Sequence, residues 1–174
     1  MLSEKLIQAI AEIPDFPKPG ISFKDITPIL ASPTLSAELV DNMAAWAAPL
    51  KPDFIVGIES RGFMLGFALA QKLGVGFIPV RKPGKLPREV YSEDYDLEYG
   101  SATVQIHKED LKPGCRVIIH DDLLATGGTA EAAIKLCTKA NVNVVGVHFI
   151  IELAFLNGRN LLPAGTNILS EVIY

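Results

Sequence analysis

The chain predicts an α/β fold, a mostly parallel central sheet flanked by helices, and three observations carry that reading. Apolar runs rich in β-branched residues, Phe54-Ile55-Val56-Gly57-Ile58, Val117-Ile118-Ile119 and the stretch from Val144 to Leu153, read as strands buried on both faces. Two of these runs lead through a short polar turn into a helix. Glu59-Ser60-Arg61-Gly62 precedes a helix through Leu73, and the turn after Asp121-Asp122 precedes one from Ala130 to Ala140. Both turns therefore fall at the carboxyl end of a strand, where open α/β sheets hold their ligands.

Each element follows in order. Ser3 can cap a first helix whose apolar residues Leu6, Ile7, Ile10 and Ile13 fall at helical spacing, until Pro14 and Pro17 end it. The proline-punctuated segment from Asp15 to Pro28 predicts a loop. Leu35 to Ala48 predicts a helix with Leu39, Val40, Met43 and Trp46 inward, closed by Pro49 and Pro52. Asp53 to Ile58 is the next strand, and Val75 to Val80 follows its helix as a third. Residues 81–101 then form a long polar loop that opens on the basic run Arg81-Lys82-Pro83-Gly84-Lys85. Loops of that length in a compact domain are often lids. Ala102, Val104 and Ile106 alternate with Thr103, Gln105 and His107, the pattern of a half-exposed strand. The central strand ends at Asp121-Asp122, Gly158 to Leu162 predicts a short helix, and Asn167 to Tyr174 an edge strand.

Composition excludes several functions. The 174 residues predict one domain over the whole chain, and 49% are apolar with no run able to span a bilayer. A net charge of −4 without a basic tail argues against a nucleic-acid partner. Two cysteines, Cys115 and Cys137, suit reduced thiols in a cytoplasmic protein. His107, His120 and His148 lack zinc-site spacing, and complete Walker and dinucleotide patterns are absent.

The chemistry concentrates around Asp121-Asp122. Two adjacent carboxylates repel, so an unliganded turn gains nothing from them; a ribose offering hydroxyl donors, or a shared cation, gives them a purpose. Ala125-Thr126-Gly127-Gly128-Thr129 follows, where unpaired amides at a helix start and Cβ-free glycines make a phosphate cradle.

Asp121-Asp122-Leu123-Leu124-Ala125-Thr126-Gly127-Gly128-Thr129 resembles the ribose-phosphate signature of the type I phosphoribosyltransferases, and its wording is especially similar to the adenine phosphoribosyltransferases. Arg81-Lys82-Pro83-Gly84-Lys85-Leu86-Pro87 and Leu97-Glu98-Tyr99-Gly100 look like that family's hood, and residues 15–28 like its base-binding loop. The resemblance implies the type I phosphoribosyltransferase fold, a flexible hood over about 81–101, and a homodimer. It implies transfer of phosphoribosyl from phosphoribosyl diphosphate to adenine, giving AMP and diphosphate. Magnesium would arrive with the sugar diphosphate, so no dedicated metal ligands are expected.

Site roles carried over from the resemblance divide the same way. Ser60, Arg61 and Gly62 touch the diphosphate with Arg81, Lys82 and Lys85, and a cis bond is expected between Glu59 and Ser60. Ala125, Thr126, Gly127, Gly128 and Thr129 hold the 5′-phosphate; Asp121 and Asp122 hold the ribose. Glu98 handles the purine proton and Tyr99 helps close the site. Phe23 stacks on adenine, with Ser22, Lys24 and Leu153 around it. Read alone, Phe23 could equally plug a core. His120 departs from the family, where that position is usually apolar; it is either a hydrogen-bonded core histidine or a group that shifts Asp121. Two alternatives stay open at this point. One is the same chemistry on an oxopurine, and the other a regulator that senses the sugar diphosphate without turnover.

Overall fold

A short helix, α1 (Leu2–Ala9), opens the computed structural model, which describes residues 1–96 and 100–174. It is followed by β1 (Ala11–Ile13), β2 (Phe23–Asp25), α2 (Thr27–Ala31) and α3 (Pro33–Ala47). The central layers come next: β3 (Phe54–Ile58), α4 (Gly62–Leu73) and β4 (Gly76–Val80). A hairpin of β5 (Val90–Asp96) and β6 (Ser101–His107) separates them from β7 (Arg116–Leu124), α5 (Gly128–Lys139), β8 (Asn143–Glu152) and β9 (Ile168–Ile173).

The main sheet runs in the order β4-β3-β7-β8-β9, and all four pairings are parallel. Strand β7 therefore lies in the middle, with Val56 opposite Ile119 on one side and Val147 opposite Ile119 on the other. The two-residue side-chain period sorts the core. Val56, Val117, Ile119 and Phe149 pack with Ala133 and Leu136 of α5. Ile55, Ile118 and Ile150 pack with Leu6, Leu39, Met43 and Leu69 from the helices on the opposite face. Val117, Ile118 and Ile119 are wholly buried. Truncating either isoleucine to alanine would cost about 2–5 kcal/mol, because a rigid sheet does not collapse into the gap.

Local patterns lose to tertiary pairing in four places. The first helix stops at Ala9, with Met1 rather than Ser3 as its N-cap; Ile13 sits on β1, paired with Phe23, and is exposed. The expected loop over 15–28 contains β2, and α2 begins inside it at Thr27, where Asp25 Oδ1 accepts from the Thr27 amide at 2.9 Å. Within the expected hood loop, residues 90–96 form a strand paired with β6, Tyr91 opposite Ile106 and Asp96 opposite Ser101. Finally, β7 does not end at the acidic pair but continues to Leu124, opposite Glu152. Trp46 is only half-buried.

Candidate active site

The phosphate cradle is built from the junction of β7 and α5. Gly127 has φ +92°, a conformation that disfavours any side chain, and it starts α5 with no side-chain cap. The first amides of α5 thus have no intrahelical partner, and the helix dipole adds positive potential there. A small cavity of about 60 Å³ lies over them, lined by Asp121 and the 123–130 run. Gly127 also abuts Gly158: a Cβ on Gly127 would lie 2.3 Å from the Gly158 carbonyl oxygen.

Next to the cradle stand the two acids. Asp121 Oδ1 accepts from the Asp122 amide at 2.9 Å. Burial pushes the Asp121 carboxyl well above the usual carboxylate range, and the neighbouring Asp122 charge adds to that. Burial also raises Asp122, against the opposing pull of Arg61. Arg61 Nε lies 2.8 Å from Asp122 Oδ2, yet that oxygen and Arg61 Nη1 are both buried without a properly aimed hydrogen bond. The pair is close in charge but unsatisfied in geometry. Gly62 lets the two turns touch: a Cβ there would come within 2.8 Å of the His120 carbonyl oxygen and 3.1 Å of Asp121 Oδ1.

The other anion-handling turn is made of side chains. The Glu59–Ser60 peptide is cis, and Ser60 is exposed. Glu59 accepts from the Lys82 amide at 2.9 Å and from Arg81 Nε and Nη2 at 3.3 Å each. Burial alone would raise the Glu59 carboxyl, but those donors hold it below its ordinary value. Arg81 is thereby aimed by Glu59, a residue the sequence reading passed over. Lys82 and Lys85 stand in solvent on the same segment.

An apolar cavity of about 700 Å³ lies beyond the cradle, between Ser22 and Lys24 of the base-loop segment and Ala125 and Thr126. Leu153, Phe155, Leu156 and Tyr174 complete its wall. The Lys24 ammonium is turned away from a ligand: it pairs with Glu12 and sits 4.1 Å over the Tyr174 ring. Phe23 does not line this cavity. Its ring lies edge-on to Phe16 at 5.2 Å and under the Arg61 guanidinium at 4.9 Å.

The structure therefore brings Ser60, Arg61, Gly62, Asp121, Asp122 and the 125–129 turn to one end of the sheet, with Ser22, Lys24 and Leu153 on the adjoining cavity. Glu98 and Tyr99 lie outside the described residues. Phe155 and Tyr174 were not expected, since both reach the cavity from segments whose local pattern reports only exposure or an edge strand. His120 is buried, with Nδ1 2.9 Å from His148 Nδ1, and His148 Nε2 is 3.0 Å from Glu171 Oε1. Burial, then the neighbouring His148, keeps the His120 proton affinity well below the ordinary value. His120 is a hydrogen-bonded core histidine.

An amide-lined turn and an arginine-bearing turn, with an acidic pair beside both, stand at the carboxyl end of a parallel sheet, where proteins of this α/β class hold their ligands. The model of the phosphoribosyl transferase domain family matches residues 25–157. An adenine phosphoribosyltransferase from Synechococcus sp. (strain JA-3-3Ab) is 56% identical over 152 residues, 87% of each chain. Among solved structures, the adenine phosphoribosyltransferase of Thermoanaerobacter pseudethanolicus superposes with a TM-score of 0.95 at 47% identity, covering 99% of both chains. That of Saccharomyces cerevisiae, complexed with an imino-altritol bisphosphate and adenine, gives 0.92 at 41% identity over 98% of both chains. The chain belongs to the adenine phosphoribosyltransferase family, and its fold is the type I phosphoribosyltransferase fold.

Proposed function

We infer that this protein is a purine salvage enzyme that transfers the 5-phosphoribosyl group from phosphoribosyl diphosphate to adenine, giving AMP and diphosphate. The observation that carries the reading is the convergence of cradle, acid pair, Arg61 and apolar cavity in a chain that shares 56% identity with an adenine phosphoribosyltransferase. A bond forms between a purine ring nitrogen and the anomeric carbon, the bond to diphosphate breaks, and the nitrogen's proton leaves. The α5 amides hold the 5′-phosphate and never need to release charge during the step. Asp121 and Asp122 accept from ribose hydroxyls and offset positive charge at the anomeric carbon. Ser60, Arg61 and Gly62, with Arg81, Lys82 and Lys85, take the departing diphosphate. In our reading Glu98 receives the purine proton, Tyr99 closes over the centre, and Phe23 and Leu153 sandwich the base, with Ser22 and Lys24 beside it.

Magnesium fits this site as a companion of the substrate. Asp122 Oδ2 lies 2.8 Å from Arg61 Nε without an aligned hydrogen bond, and a carboxylate oxygen so placed is the hard donor a magnesium ion takes. When bound it would neutralise diphosphate oxygens. We further read residues 1–174 as one catalytic domain with its hood over 81–101, placed in the cytoplasm, where the free thiols of Cys115 and Cys137 stay reduced. A homodimer is supported by the exposed apolar Met64 and Phe67 beside a groove of about 680 Å³ between α3 and α4. Sedimentation that gave only monomer at catalytic concentrations would remove that part.

The test is to supply magnesium, phosphoribosyl diphosphate and each purine base separately, and to follow nucleotide formation. Adenine should turn over well above hypoxanthine, guanine and xanthine. Turnover of an oxopurine instead would move the base assignment, and tight sugar-diphosphate binding without turnover would point to a regulator.

A further inference from the structure

Glu152 ends β8 and is buried, yet it belongs to none of the groups that would touch substrate. Its carboxylate accepts two parallel bonds from Arg159, Nε to Oε1 and Nη2 to Oε2, each 2.6 Å, and a third from Ser170 Oγ at 2.6 Å. The Arg159 hydrogen bonds hold the carboxyl below its ordinary value, as expected of a bidentate charge-assisted pair. Arg159 itself is exposed, and what sets the pair apart from an ordinary surface ion pair is its buried, bidentate partner. The guanidinium is a fork locked on a buried carboxylate.

The pair brackets a short segment, residues 153–158, and the two ends of that segment serve different ligands. At the start, the Leu153 amide donates to the Leu124 carbonyl at 2.9 Å, and Leu153, Phe155 and Leu156 wall the apolar cavity. At the end, Gly158 is pressed on the phosphate loop so closely that a Cβ on it would lie 2.2 Å from the Ala125 carbonyl oxygen. Only backbone fits between Gly127 and Gly158, so the loop has no room to retreat while Gly158 stays put. The next residue, Arg159, ties this end of the segment to Glu152 at the end of β8.

We propose that Glu152 and Arg159 are positioning residues that set the base cavity and the 5′-phosphate cradle relative to each other through the 153–158 segment. The proposal rests on the phosphoribosyl-transfer reading above. It separates ligands by which ends they carry. AMP spans both the cavity and the cradle and depends on the bracket twice. Inorganic diphosphate sits by Arg61 and Arg81 and does not depend on it.

The experiment compares the wild type with Arg159→Met, Glu152→Gln and Arg159→Lys. Steady-state kinetics would be run beside calorimetric titration of AMP and of diphosphate with magnesium. For Arg159→Met and Glu152→Gln, KM for adenine and for phosphoribosyl diphosphate should each rise about tenfold, with kcat falling less than KM rises. AMP affinity should fall by at least the same factor while diphosphate affinity holds. Arg159→Lys keeps the charge but loses the fork, and should land between. A loss confined to kcat, equal weakening of AMP and diphosphate, or wild-type values throughout would overturn the proposal. If Arg159→Met does not fold, Arg159→Lys and Glu152→Gln decide by the same readouts. A wild type that binds AMP but makes none would instead count against the catalytic reading, while the AMP and diphosphate titrations still judge the bracket.

Discussion

The two strand-to-helix turns at the centre of the sheet share a topology and differ in material. After β7, the anion site is backbone: glycines, bare amides and a helix dipole, with Gly127 at φ +92°. After β3, it is side chain: Arg61 on Asp122, and Arg81 on Glu59, each cation matched with an acid. Under the function proposed above, the contrast is a division of labour between two phosphates. A group that must stay bound through the reaction is best met by fixed dipoles, which need no rearrangement. A group that must leave is better met by mobile cations that already have somewhere else to go.

The sharpest way to break that comparison is on the side-chain turn. Arg61→Ala should lower kcat by about 10²–10³-fold, because it removes charge from the leaving group and leaves Asp122 uncompensated. If turnover were unchanged, the role given to this turn would be wrong. On the backbone turn, Gly127→Ala places a methyl 2.3 Å from the Gly158 carbonyl oxygen. There we expect about a 10²-fold loss expressed mainly in KM for phosphoribosyl diphosphate, the reverse of the Arg61 split. Identical splits for the two variants would erase the distinction.

Asp121 tests the electrostatic side of the contrast through stability. Its carboxyl is raised in the folded state, first by burial and then by Asp122. Stability from this group is therefore present below the unfolded value, about pH 4, and drains away as pH rises through the folded one. Ligand-free Asp121→Asn should accordingly be more stable than wild type at pH 8 by about 1 kcal/mol, the gap closing toward pH 4, while losing activity. Denaturant melts at the two pH values would show it, and a gap that widened toward acid would contradict the assignment. The smallest effect is expected from exposed Lys85: Lys85→Gln should raise KM for phosphoribosyl diphosphate about threefold at low salt and hardly at all at high salt, since solvent-exposed attraction is screened.

How legible all this was in the sequence depends on range. The β7–α5 junction was readable because an apolar run, two acids and two glycines are contiguous, although the strand runs three residues past Asp121 thanks to pairing that only β8 supplies. Ile13 kept helical spacing but was claimed by β2, and no local signal announces a ribbon of three pairs. The hood's second half was polar enough to pass for loop; its inward face is set by packing, with Tyr95 Cδ2 and the Asp96 carbonyl each 3.2 Å from where a Cβ on Gly128 would sit. Glu59 was visible as a residue and invisible as a partner, because Arg81 and Lys82 reach it from across the β3–β4 pairing. Phe23 was assigned from resemblance; its contact with Arg61 belongs to two segments far apart in the chain.

The buried histidine pair has a use outside chemistry. Glu171 accepts from His148 Nε2–H, and the two Nδ1 atoms, 2.9 Å apart, share a single proton between the rings. That proton is shut away from water, one residue from Asp121. In a magnetic resonance spectrum it should stand as an isolated, slowly exchanging imidazole N–H signal. The chain has only three histidines, so its assignment is short work. The protein thus holds an unlabelled reporter at the heart of its sheet, able to register each ligand that settles on the ribose acids without any group being added to the molecule.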